Sequence, residues 1–144
     1  MCGDVFRRHW KLFLGATFLV GLFSAVYEYF GHGVMSDSMI FAFLYPLILG
    51  LIPIIALAHL GTVKKIPYAG AIRFGINLFY TGIATLTVGS LATGVIEIYG
   101  TTNRLLKFYT LVGIPFLFVG LLVSAIAIAR AVNLGSKKKA VFEE

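Results

Sequence analysis

Four long apolar runs, separated by short polar or glycine-rich stretches, organise this chain of 144 residues. They cover residues 10–30, 39–60, 75–99 and 105–131. Each meets the roughly 20 apolar residues that a helix needs to cross a bilayer core of about 30 Å. The pattern predicts an all-α polytopic membrane protein, with four transmembrane helices in an up-down bundle and a polar cytoplasmic tail over 132–144. All of it reads as one domain.

The third run is the expected centre. It is apolar and uncharged from Ile76 to Ile96, yet rich in Gly and Thr. Gly75, Gly82 and Gly89 recur every seven residues. A seven-residue step leaves a straight helix only about 20° out of phase, so the glycines form one stripe. Lipid gives little hydrophobic drive between helices, and small residues mark the faces where backbones approach closely. Ser90, Thr93 and Glu97 fall on or beside that face. The stripe therefore reads as a packing surface.

The first run follows Arg7, Arg8 and Lys11, and Trp10 suits an interfacial position at its start. Phe23-Ser24-Ala25 is a poor cleavage site, so an uncleaved anchor is expected. In the connection that follows, Ser36, Asp37 or Ser38 can cap the next helix. The second run carries Pro46, Gly50 and Pro53 at helical spacing on one face, expected to turn towards the third helix. Each proline removes a backbone hydrogen bond, which leaves the carbonyls of Ala42 and Leu49 in need of a partner. Gly100 is the expected carboxyl-terminal cap of the third helix. Pro115 should bend the fourth, and the tail beyond it is expected to be mobile.

Composition sharpens this picture. Hydrophobic residues make up 59% and charged residues 12%, with mean hydropathy +0.93. A soluble domain has about 25% charged residues. The net charge of +6 comes from basic residues between the apolar runs, which reads as topology and as contact with anionic lipid at the cytoplasmic face, not as a nucleic-acid surface. One set of connections holds Arg7, Arg8, Lys11, Lys64, Lys65, Arg73, Arg130 and Lys137 to Lys139; the other holds only Arg104 and Lys107. The positive-inside rule then puts both termini in the cytoplasm of a cell-membrane protein.

The chemistry is sparse. Cys2 is the single cysteine, so neither an intrachain disulfide nor a cysteine metal site is expected. His9, His32 and His59 do not face one another across the core, which argues against haem. No metal, cofactor or catalytic motif is expected. One constellation gathers at the outer ends of the helices: Glu28, His32, Asp37, Glu97, Arg104 and Lys107. An ionisable group near a membrane is costly unless paired, so Glu97 is expected to bond to an outer loop or helix end, with Arg104 and His32 as first partners. The cluster reads as a structural clasp, or as a proton-linked or divalent-cation site. The leading functional expectation is a non-enzymatic accessory component that packs with itself or a larger membrane partner. The alternative is a small oligomeric transporter or channel, with Glu28, His32 and Glu97 at its outer mouth.

Overall fold

A computed structural model describes residues 2–31, 35–59 and 70–142, with side chains over 9–31, 35–55 and 70–130. His32, Lys64 and Lys65 lie outside the described residues, as do the side chains of Arg7, Arg8, His59 and Lys137 to Lys139. Among the described residues the chain is all-helical and contains no strand. Four segments are long and apolar enough to cross a membrane: His9–Phe30, Asp37–Ile55, Gly70–Ile98 and Arg104–Arg130.

Helix α1 (Cys2–Phe30) leads into the second segment, which is composite. One α-turn, α2 (Asp37–Ile40), tightens into a 3-10 turn at Phe41–Phe43. It then widens into a π-helical stretch at Tyr45–Leu51 and returns to α geometry in α3 (Ile52–His59). Helix α4 (Gly70–Ile98) follows, and a 3-10 turn at Arg104–Leu106 opens α5 (Lys107–Phe142).

Several helix limits differ from the sequence reading. Helix α4 begins five residues ahead of the glycine stripe, at Gly70. Helix α1 takes in the basic lead, and the tail expected to be mobile is helical to Phe142. Propagating an existing helix adds one hydrogen bond per residue fixed and avoids the cost of a nucleus, so a polar extension rich in Lys and Ala continues what the span began. Pro115 sits inside α5 without ending it.

The second segment is the larger correction. Pro46 occupies the first turn of the π stretch, where its missing N–H costs least. At the far end, the Ile52 N–H reaches back five residues to the Leu47 carbonyl. This wide turn changes the phase of the residues on either side, so positions spaced for one α-helical face no longer share a neighbour. Gly50 is packed against the Phe13 ring of α1, although the spacing had placed it towards α4.

The helices form a row: α1, the second segment, α4 and α5. Among the described residues α1 and α5 share no packed interface. Along α4 and α5, contacts pair rising numbers with falling ones. Gly75 of α4 meets Gly120 and Ser124 of α5, Gly82 meets Gly113 and Leu117, and Gly89 meets Tyr109. On the other flank of α4, Gly94 meets Met39 and Ser90 reaches Ser38. Helix α1 also touches α4 directly: the Tyr80 ring lies 5.3 Å from that of His9 and 4.8 Å, edge-on, from that of Phe13.

The α4–α5 seam is backbone against backbone. A methyl group built on Gly120 would lie 2.7 Å from the Phe79 Cα and 2.8 Å from the Gly75 carbonyl oxygen. One built on Gly82 would lie 2.7 Å from the Leu117 nitrogen and 2.9 Å from the Gly113 carbonyl. Neither neighbour can give way without moving a helix axis. Gly15 of α1, by contrast, has nothing within 4 Å of the same position. We expect Gly120→Ala and Gly82→Ala each to lower stability in detergent by about 1–3 kcal/mol, the usual cost of overpacking. Gly15→Ala should be neutral or slightly stabilising, since it raises helix propensity in open space. Thermal unfolding of the three variants checks both expectations.

Candidate functional site: a polar clasp at one end of the helices

The polar groups at one end of the molecule converge on the start of the second segment. Ser36 has an extended backbone and caps α2: its hydroxyl accepts from the Met39 N–H at 3.3 Å. The same hydroxyl donates to Glu97 Oε2 at 2.5 Å. Ser38 donates to the other carboxylate oxygen, Oε1, at 3.2 Å. Ser36 is only 2% exposed, so its hydroxyl has no recourse to solvent and must be satisfied by protein.

Two further serines reach this turn from the flanking helices. Ser24 of α1 donates to the Met39 carbonyl at 2.9 Å, and Ser90 of α4 donates to the Ser38 carbonyl. The change of pitch after Ile40 disturbs the regular backbone ladder, and in a low-dielectric setting carbonyls near such a break need donors from neighbouring helices. The sequence reading expected this repair at Ala42 and Leu49. The serine bonds fall one turn earlier, at Ser38 and Met39, because the pitch changes before Pro46 is reached.

Met39 is fully buried, with its backbone against Gly94: a methyl on Gly94 would lie 3.0 Å from the Met39 Cα. Gly94 thus does on the second-segment flank what Gly82 and Gly120 do in the seam. On the rim, the Tyr27 hydroxyl meets that of Tyr99. Helix α4 closes just beyond. Gly100 takes a positive φ of 72°, its N–H bonds to the Glu97 carbonyl at 2.9 Å, and the Thr101 N–H bonds to the Ile96 carbonyl at 3.1 Å. That closure fixes the height at which the Glu97 side chain leaves the helix.

The expected cluster is therefore only partly assembled. Glu97 does bond to the outer connection, but through Ser36 and Ser38; among the described residues neither Arg104 nor Lys107 is bonded to it. Gly100 turns the chain away after α4, and the Asn103 side chain caps the next turn by accepting from the Leu105 N–H, which carries Arg104 onto the α5 side. Asp37 is exposed in the first turn of α2, where the helix dipole favours a negative charge. Glu28 is part-buried, and its Oε1 is enclosed without a hydrogen-bond partner. Among the described residues no group of His, Cys, Asp and Glu is arranged to hold a metal ion.

Of the packing residues, Gly75, Gly82 and Gly89 lie buried against α5, and Thr93 returns its hydroxyl to the Gly89 carbonyl. Ser90 faces the other flank. Sequence reasoning missed Ser24 and Gly94. Ser24 was visible as a lone hydroxyl among Leu, Phe and Ala late in the first run. Gly94 lies off the seven-residue stripe because it serves a different neighbour.

No family model, curated protein or solved structure matches the chain.

The clasp yields a coupling prediction. Hydrogen bonds to a charged acceptor contribute about 1.5–3 kcal/mol, less where solvent competes. Glu97→Ala and Ser36→Ala should each destabilise, and a double-mutant cycle should give a coupling of about 1 kcal/mol between them. The cycle of Glu97→Ala with Arg104→Gln should give none. Chemical unfolding in detergent measures both; a coupling carried by Arg104 instead would restore the expected ion pair.

Proposed function

We propose that the chain is a small multi-pass protein of the cell membrane. It forms an up-down array of four spans with both termini in the cytoplasm, and acts as a non-enzymatic accessory component that packs with itself or a larger membrane protein. The observation that supports this reading is where the hydroxyls go. Within the spans Thr17, Thr81, Thr85, Thr87, Thr93 and Ser124 each return their hydrogen bond to a carbonyl four residues back. Ser24 and Ser90 are spent on the second segment. These eight hydroxyls thus serve the protein's own backbone, whereas a conducting path would aim them at a cargo.

The outer faces of the row, by contrast, are apolar and open. Phe18 and Leu19 on α1 and Phe118 and Leu122 on α5 are each at least 60% exposed. Because α1 and α5 do not close on each other, both ends of the row remain available to lipid or to another helix. The basic residues between the spans, ten on one side against Arg104 and Lys107 on the other, support the orientation.

A photo-crosslinking residue placed at Phe118 or Leu122 in native membranes should give a discrete adduct with a second copy or with one other protein. Adducts with lipid alone would overturn the accessory reading. For the topology, a cysteine at Thr102 should react with an impermeant reagent on intact cells, and one at Ser136 only after permeabilisation. The opposite pattern would reverse the orientation.

One observation favours the transporter reading: the enclosed, unpartnered Oε1 of Glu28 beside the clasp. If Glu28 handles protons, Glu28→Gln should abolish a proton-coupled flux in reconstituted vesicles while leaving the fold intact. In the accessory reading the same change leaves stability unchanged or raises it.

A further inference from the structure

A groove of ≈ 680 Å³ lies along α5 at its Arg104 end, used neither by the seam nor by the clasp. Arg104 and Lys107 line it nearest the start of the helix, followed by Phe108, Thr110, Leu111, Ile114 and Pro115. Its volume falls in the range of about 300–1,000 Å³ common for small-molecule sites.

The two cations are in an unfavourable setting as they stand. They are three positions apart, so they share one face, where like charges repel. They also sit at the amino end of a helix of 36 residues, where the backbone dipole is already positive. Among the described residues neither has an ion-pair partner. The nearest carboxylate in sequence, Glu97, is bonded instead to Ser36 and Ser38. An anion between Arg104 and Lys107 relieves the repulsion and the dipole together. Below that point the groove is almost wholly apolar, and the sequence from Phe108 to Ala129 carries no charge. A free inorganic anion would use the cationic end and leave the apolar length empty. An amphiphile with an anionic head uses both.

We propose that this groove binds an anionic phospholipid, its phosphate between Arg104 and Lys107 and an acyl chain along Phe108, Leu111, Ile114 and Pro115. The proposal rests on the membrane part of the reading above and is independent of the accessory role. It also differs from the cytoplasmic lipid contact expected of the basic connections, since Arg104 and Lys107 lie at the opposite end of α5 from Arg130.

Native mass spectrometry of the full chain in detergent, titrated with phosphatidylglycerol, phosphatidylcholine or inorganic phosphate, tests it. Wild type should retain phosphatidylglycerol in preference to phosphatidylcholine. Arg104→Gln with Lys107→Gln should weaken phosphatidylglycerol binding roughly tenfold or more, two cations being lost. Arg130→Gln should leave it unchanged. Ile114→Trp, which fills the groove and keeps both cations, should weaken it as well. These side chains are exposed or line an open groove, and unchanged thermal unfolding confirms that the fold persists. Equal retention by wild type and the double variant overturns the site. Competition by inorganic phosphate as effective as by lipid, or indifference to Ile114→Trp, overturns the acyl-chain half and with it the proposal. Resistance to carbonate extraction is scored in parallel: loss of lipid selectivity in a protein that resists extraction sinks the groove alone, whereas a protein that carbonate releases sinks the membrane reading itself.

Discussion

The structure depends on how closely α4 is approached from two sides. Its glycines let α5 touch it backbone to backbone at Gly75 and Gly82, let the Tyr109 side chain seat on Gly89, and let Met39 touch it at Gly94. In lipid, apolar side chains gain little by meeting one another, so short-range packing and satisfied polar groups must hold helices together. Glycine supplies the first by removing the spacer between axes. Its cost is a helix interior weaker than alanine by about 1 kcal/mol per residue, which the contacts on both flanks offset. Helix α4 needs those neighbours as much as they need it.

The clasp follows from that geometry. Once Met39 is drawn against Gly94, the one-turn helix α2 is pressed into α4 with its amino end buried. Its backbone groups then require partners within reach; Ser24, Ser36 and Ser90 provide them, and Glu97 in turn accepts from the Ser36 hydroxyl. Glu97 accepts from two hydroxyls, that of the α2 cap Ser36 and that of Ser38, and so tethers the start of α2 to the end of α4. Seam and clasp are two responses to one constraint: backbones brought this close leave neither room for side chains nor access for water.

Much of the architecture could be read in advance because it is written in periodicity. Four apolar runs of spanning length, and glycines seven apart on the third, report long straight helices and their packing face. What escaped the reading was set by departures from the α repeat. Pro46 signalled a lost hydrogen bond, but it could not say that the chain would tighten before it and widen after it, and so Gly50 was assigned to the wrong neighbour. The partners of Glu97 were misjudged for a related reason. Arg104 is near in sequence and opposite in charge, yet Gly100 and the Asn103 cap carry it to the α5 side. The serines that do meet Glu97 are some sixty residues away, and nothing local in the sequence marks them. Gly94 was overlooked because the search followed one stripe, whereas a central helix needs a second.

The wide turn at Tyr45–Leu51 has a further consequence. A π stretch is an α-helix that has absorbed surplus chain, and each residue of surplus shifts the phase of everything beyond it by about 100°. Here the two ends of one span must answer to different partners: Gly50 to the ring of Phe13, and Ser36 and Met39 to Glu97 and Gly94. A uniform helix with these side chains could satisfy one end only. The π turn works like a vernier between them, setting one end's rotation independently of the other's. Within this span, evolution can therefore vary composition more freely than length: a substitution leaves the phase alone, while a one-residue deletion turns the clasp out of alignment without touching any residue that forms it.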